Sequence, residues 1–280
     1  MDYILLDRSI FHREKFELLR ASPLLQLTKD RILRVYFTPG LIEETLHFGL
    51  HHRAELKIQL EFLFELNSTH WFRTAKSIID AELGLKYVHS LYYLLTDEEI
   101  ARINSGAKDY IEGNVNGEDF RKTLEEVEKN NQTRAQSRKR RLSLRRTVPP
   151  APYDFPTHFE KHVAWLIEEG LMKFHDHSTG FLERWRLARS YCPFTEQYLR
   201  CWLATMFLPV TQRRMKVGEN DLSDATQLAY LTWADTMVSD DKHFMKKGFE
   251  LLFGRSGKKF LTQLEFLEYM NQLINRERTT

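Results

Sequence analysis

Cysteine is scarce in this sequence: two among 280 residues, Cys192 and Cys201, with no CxxC pair and no companion set for a structural zinc site. That scarcity fits a reducing, intracellular setting, so a cytoplasmic protein is expected. Glycine and proline are also few, 12 and 8, while 42% of residues are hydrophobic and 29% charged, the composition of an ordinary globular protein. An excess of one charge is lacking too. The formal net charge is +2, so no whole-molecule attraction to nucleic acid follows, and what matters is where the charges sit. Long apolar runs are absent. The first residues, MDYILLDRSIF, carry acids around a short apolar stretch and read as neither signal peptide nor membrane span. No later run approaches the roughly 20 residues needed to cross a bilayer, and no Gly-rich phosphate loop, dinucleotide fingerprint or GxSxG elbow occurs.

What is present is a set of short apolar runs followed by carboxylates. Tyr3–Leu6 reads as a buried central strand ended by Asp7, followed by a helix from Ser9 to about Arg20 that Ser22-Pro23 breaks. Ile32–Phe37 is a second strand. Thr38-Pro39-Gly40 then turns into a helix, with Thr38 as a candidate N-cap and Glu43 and Glu44 in its first turns. From about 53 to 103 the periodicity is helical without a clear strand, and Trp71, Phe72, Tyr87, Tyr92 and Tyr93 read as core aromatics. Thr96-Asp97-Glu98-Glu99 matches a capping box. Residues 105–133 are polar, and 134–146 carry seven Arg or Lys with no acid before a proline-rich close at 148–152. Helical pattern resumes at His158–Glu169 and continues to about Phe207. Asn220–Phe244 then supplies an acidic helix start, a short strand and Ser239-Asp240-Asp241 at its end. Met245–Phe253, Lys259–Leu261 and Thr262–Ile274 follow as helix, strand and helix.

This order predicts an α/β fold of three layers, α/β/α, around a central parallel sheet, with a discontinuous core of 1–55 and 205–280. A helical insertion is expected at 56–204, with a flexible basic loop at about 130–152. Parallel strands would bring Asp7, Glu43 or Glu44, Asp240 and Asp241 to one edge of the sheet. Asp221 and Asp224, three apart, would open a helix beside it. Carboxylates collected there repel one another unless a hard divalent cation such as Mg²⁺ or Mn²⁺ sits among them. Two such ions suit phosphodiester hydrolysis. Taken singly, each acid is better read as a helix cap or a solvated charge, and their joint placement at strand ends is what favours a site.

Four segments together resemble the PIN-domain nucleases: ILLDRS with Asp7, TPGLIEET with Glu44 or Glu43, NDLSDATQLA with Asp224 and nearby Asp221, and VSDDKHF with Ser239 and Asp241. The closing KFLTQLEFLEYM is similar to that family's last strand and helix. The similarity covers about half of the chain, and 55–200 has no counterpart in it. The resemblance implies a Mg²⁺- or Mn²⁺-dependent endonuclease, with one or two ions held by Asp7, Glu44, Asp224 and Asp241. Glu43, Asp221, Ser239 and Asp240 stand in support. RNA is the first substrate class, and a structure-specific DNA nuclease or a PIN-like nucleic-acid-binding or scaffold protein without catalysis is the alternative. A homodimer and an inhibitor or partner protein are both left open.

Among other acidic α/β sites, a haloacid-dehalogenase-type phosphatase needs Asp-x-Asp where this chain has Asp7-Arg8-Ser9. A receiver domain needs a middle-strand Asp and a late Lys in an arrangement not found here. Arg213, Arg214, Lys216 and Lys242 flank the acidic segments and are placed to meet phosphates, while the run 134–146 reads either as a backbone tracker or as a solvated loop. His175-Asp176-His177 and the pair His158/His162 have the look of metal ligands but lack a third partner at recognisable spacing.

Overall fold

Asp2–Leu6 forms the central strand, β1, because apolar side chains leave it on both faces: Ile4 and Leu6 enter one core, Leu5 the other. The computed structural model describes residues 1–49, 52–66, 70–82, 91–112, 135–143, 192–212, 215–218 and 220–277, with a few isolated positions between 122 and 133. β1 pairs in parallel with β2 (Leu33–Tyr36) on one side and β3 (Thr236–Val238) on the other, and β3 pairs in parallel with β4 (Lys259–Leu261). The strand order is β2-β1-β3-β4.

Helices line each core. α1 (Arg13–Arg20), α2 (Leu24–Lys29), α4 (Arg53–Leu66), α6 (Asp97–Glu112) and α10 (Gln263–Glu277) send Leu19, Leu27, Leu63, Ile100 and Phe266 into the core beneath Ile4 and Leu6. On the Leu5 side lie α5 (Ala75–Glu82), α7 (Pro193–Thr211), α8 (Asp221–Ala229) and α9 (Phe244–Phe253), contributing Ile78, Phe194, Leu228 and Phe249. α3 (Pro39–Gly49) follows β2. Each fully buried leucine in these cores contributes about 1.5–3 kcal/mol. The parallel α/β sheet expected from the sequence is therefore present, and helices against both faces are compatible with three layers. No helix among the described residues is long and apolar enough to cross a membrane.

Local signals read well. Leu41 N–H donates to Thr38 Oγ1 at 3.2 Å, and Thr96 and Glu99 exchange the two bonds of a capping box. One expectation changes. The first helix does not run from Ser9: Asp7 caps a 3₁₀ turn over Arg8–Phe11, and Arg13, the first residue of α1, has φ 40°, so α1 starts on a new path. The described parts of 56–204 also supply buried residues, among them Leu63, Trp71, Ile78 and Phe194. Phe37 bridges in parallel to Trp71 and Phe72 in antiparallel to Leu94, extending the sheet past β2. Paired segments this short leave no periodic signal. Trp71 and Phe72 are buried, as core aromatics should be, and Cys192 and Cys201 are buried and free. Tyr87, His158, His162, His175, His177, Arg213 and Arg214 lie outside the described residues.

Candidate active site

The chain steps from β1 to β2 on one side and later returns on the other side as β3 and β4, so the winding reverses between β1 and β3. In a parallel sheet the crevice at the carboxyl ends of two such strands is the natural ligand site. The register Leu6↔Val238 sets Asp7 beside Ser239 there, with Asp7 N–H donating to Val238 O at 3.0 Å.

Asp7 is 5% exposed and firmly held. Its Oδ2 accepts from Ser9 N–H at 3.3 Å, Ser9 Oγ at 2.5 Å and Ser239 Oγ at 2.7 Å, while Oδ1 has no donor among the described residues. Ser9 Oγ in turn accepts from Asp240 N–H at 3.0 Å, and Ser239 Oγ accepts from Asp241 N–H at 3.1 Å. The two serines thus tie the ends of β1 and β3 together around one carboxylate oxygen. Ser239, a supporting residue in the sequence reading, donates to the Asp7 carboxylate; Ser9 has no place in that reading, and its signal is the local turn that an aspartate makes with the backbone two residues on. Ser239→Ala is expected to cost about 1–3 kcal/mol in urea unfolding, because buried Asp7 loses a donor. It should also weaken Mn²⁺ binding by about 10–100-fold in calorimetry, as removal of a ligand-orienting partner does.

Asp224, on the first turn of α8, is the focus of the charge. It lines the crevice with Asp221 and Asp241, and its carboxylate has no hydrogen-bond donor among the described residues. Burial raises its pKa well above the usual aspartate range, and the charges of Asp7, Glu44, Asp241 and Asp221 push the same way. Glu44 reaches this group from α3, its Oε1 accepting from Ser223 Oγ of α8 at 2.9 Å, whereas Glu43 is exposed. The structure therefore separates the two glutamates: Glu44 is the one bonded to α8. Asp241 Oδ1 accepts from His243 N–H at 2.6 Å.

Asp221 and Asp240 are committed elsewhere. Asp221 is paired with the buried Arg141 guanidinium and accepts from Gly218 N–H at 3.1 Å. Gly218 is needed for that approach, since a Cβ there would stand 2.6 Å from Asp221 Oδ1. Asp240 takes Lys15 Nζ at 2.6 Å and the Gln263 N–H at the start of α10 at 2.9 Å. Burial works to raise the Asp240 carboxyl, but these two donors and the charges of Lys15 and Lys242 outweigh it, so its pKa lies below the usual range. Both acids, supporting residues in the sequence reading, tie separate parts of the chain together.

Arg8, a residue with no signal in the sequence, is 6% exposed, and its three guanidinium nitrogens have no hydrogen-bond partner among the described residues. It lies 4.6 Å from the Phe48 ring centroid. Burial lowers its pKa, while Glu44, Asp7 and Glu55 favour its charge, so a fixed cation stands behind the acids.

A cavity of about 370 Å³ beside these acids is lined by Asp221, Asp224, Asp241, Arg138, Lys216 and His243, and its described lining does not include Asp7 or Glu44. Lys216 and Lys242 are exposed. Oxygen donors and a buried carboxylate with no donor among the described residues suit a hard cation. Among the described residues, however, no three acid, histidine or cysteine side chains stand close enough together to hold an ion. An ion would have to draw the carboxylates in from their present spacing. No protein-family model, curated protein or solved structure matches this chain.

Proposed function

We propose that this chain is a PIN-like, metal-dependent endonuclease that hydrolyses phosphodiester bonds, with RNA as the first substrate class. The observation that carries this reading is Asp224: a buried carboxylate with no donor among the described residues, which lines the cavity with Asp221 and Asp241 and feels the charges of Asp7 and Glu44 as well. Asp7, Glu44, Asp224 and Asp241 would hold one or two Mg²⁺ or Mn²⁺ ions. Bound there, the ions would supply counter-charge for the carboxylates and Lewis-acid assistance to phosphodiester hydrolysis.

Hydrogen bonds within the chain orient three of these acids. Ser9 and Ser239 fix the rotamer of Asp7, Ser223 fixes Glu44 against α8, and the His243 N–H fixes Asp241. Lys216 at the crevice wall and Lys242 beside the Asp pair are placed to receive phosphate oxygens.

The direct test compares wild type with Asp7→Asn on a fluorogenic single-stranded oligoribonucleotide in Mn²⁺, with an oligodeoxyribonucleotide in parallel. Lewis-acid stabilisation is worth several kcal/mol, so the variant should lose activity on the order of 10³-fold while keeping its circular dichroism spectrum. Unchanged cleavage by Asp7→Asn refutes the assignment. Binding of oligonucleotide without carboxylate-dependent Mn²⁺ uptake would instead favour a PIN-like binding or scaffold protein.

A further inference from the structure

We infer that the basic helical segment 135–143 is a fixed wall of the crevice that grips the sugar-phosphate backbone of a single-stranded polynucleotide; this rests on the nuclease reading of the site it borders. In the sequence the run 134–146 contains no acid, and such a run is ordinarily solvated and disordered without a partner. Here it is pinned. Arg138 Nε donates to Val217 O at 3.2 Å, and Arg141 Nη2 donates to Gly218 O at 2.7 Å while the same guanidinium pairs with Asp221. Arg138 and Arg141 are three apart on a helix, so one face is fastened to residues 217–221, just before the acidic turn of α8.

The residues between them, Lys139 and Arg140, are exposed. Lys139 and Arg140 leave the helix away from the fastened face, whereas Arg138 and Lys216 line the same space as Asp224 and Asp241. The anchoring therefore sets a cation of this segment at the cavity wall beside Lys216. Charge complementarity selects the occupant. Carboxylates on the crevice floor repel a polyanion, and the ions proposed for the site would neutralise that floor only locally. The flanking phosphates need cations at the rim, and Arg138 of this segment supplies one beside Lys216. The use of Arg141 to neutralise Asp221 serves the same end, since it removes one negative charge from the floor. Size selects the strand state. A volume of about 370 Å³ lies at the lower end of small-ligand sites, so it admits a nucleotide unit rather than a stacked base pair.

The test is fluorescence anisotropy of a labelled single-stranded oligoribonucleotide with the full chain, in chelator so that nothing is cut, across a salt titration. Wild type is compared with Arg138→Gln/Lys216→Gln, the two cations of the described cavity lining. Each phosphate contact to a single strand contributes about 0.7 to the slope of log K against log salt. Losing two should therefore lower the slope by about 1.4 and weaken binding roughly tenfold or more at low salt. The Mn²⁺-induced thermal shift should be the same in both proteins. An unchanged slope overturns the inference, as does equal affinity for a duplex of the same length. The two readings fail separately: a lower slope in a protein that cuts nothing leaves the wall standing without the nuclease. Cleavage by wild type with an unchanged slope in the variant leaves the nuclease without the wall.

Discussion

Asp224→Asn is expected to make the metal-free protein more stable and to abolish metal-dependent cleavage. Asparagine has the shape of aspartate without its charge, so it relieves both the burial and the repulsion that act on this position. Removing the carboxylate from such surroundings should add about 1–3 kcal/mol in urea unfolding at a pH above its raised folded value, where it would be charged. The pH dependence follows from the direction of the shift. The folded pKa of Asp224 lies above the unfolded one, so between the two values the folded chain holds a proton that the unfolded chain has released. Its contribution to stability is thus complete below the ordinary aspartate range and is lost as pH rises through the raised folded value. That component should vanish in Asp224→Asn. Mn²⁺ gives the opposite signature. At about 100 times its dissociation constant it should stabilise wild type by roughly 2.7 kcal/mol and leave Asp224→Asn almost unmoved. A variant that keeps the wild-type Mn²⁺ shift and still cleaves would show that the site is not built around Asp224.

Arg141→Met is expected to carry the largest stability cost, about 3–5 kcal/mol in urea unfolding. Arg141 is 1% exposed and Asp221 3% exposed, so methionine fills much of the space but leaves Asp221 charged, buried and without its cation. The cost comes from the orphaned carboxylate more than from the lost attraction. Adding Asp221→Asn should therefore recover most of it, because the amide oxygen still accepts the Gly218 N–H that Asp221 Oδ1 takes at 3.1 Å. A neutral single variant would mean that segment 135–143 is not fastened to α8 at all.

These two aspartates, three apart on one helix, show where the sequence is informative and where it stops. Strand β1 and its terminal Asp7, strand β4 at Lys259–Leu261, the Thr38 cap and the Thr96–Glu99 box were all legible, because a short apolar run or a local hydrogen bond depends only on neighbours in the chain. The parallel sheet followed from the alternation of strands and helices. So did the gathering of acids at one edge, since parallel strands share their carboxyl ends. The choice between Glu43 and Glu44 did not follow, because one residue rotates a side chain by about 100° around a helix. Only the docking of α3 on α8 shows which one meets Ser223.

Which residues can bring negative charge to this edge of the sheet follows from the chain order; which of them are already tied to a cation depends on how distant elements pack. Asp221 is taken by an arginine 80 residues away and Asp240 by a lysine 225 residues away, whereas Asp224 has no donor among the described residues. The physical reason is that a carboxylate's chemistry is set by its nearest charges and hydrogen-bond donors. At a crevice built from distant strands and helices, those neighbours come from parts of the chain that no local pattern connects.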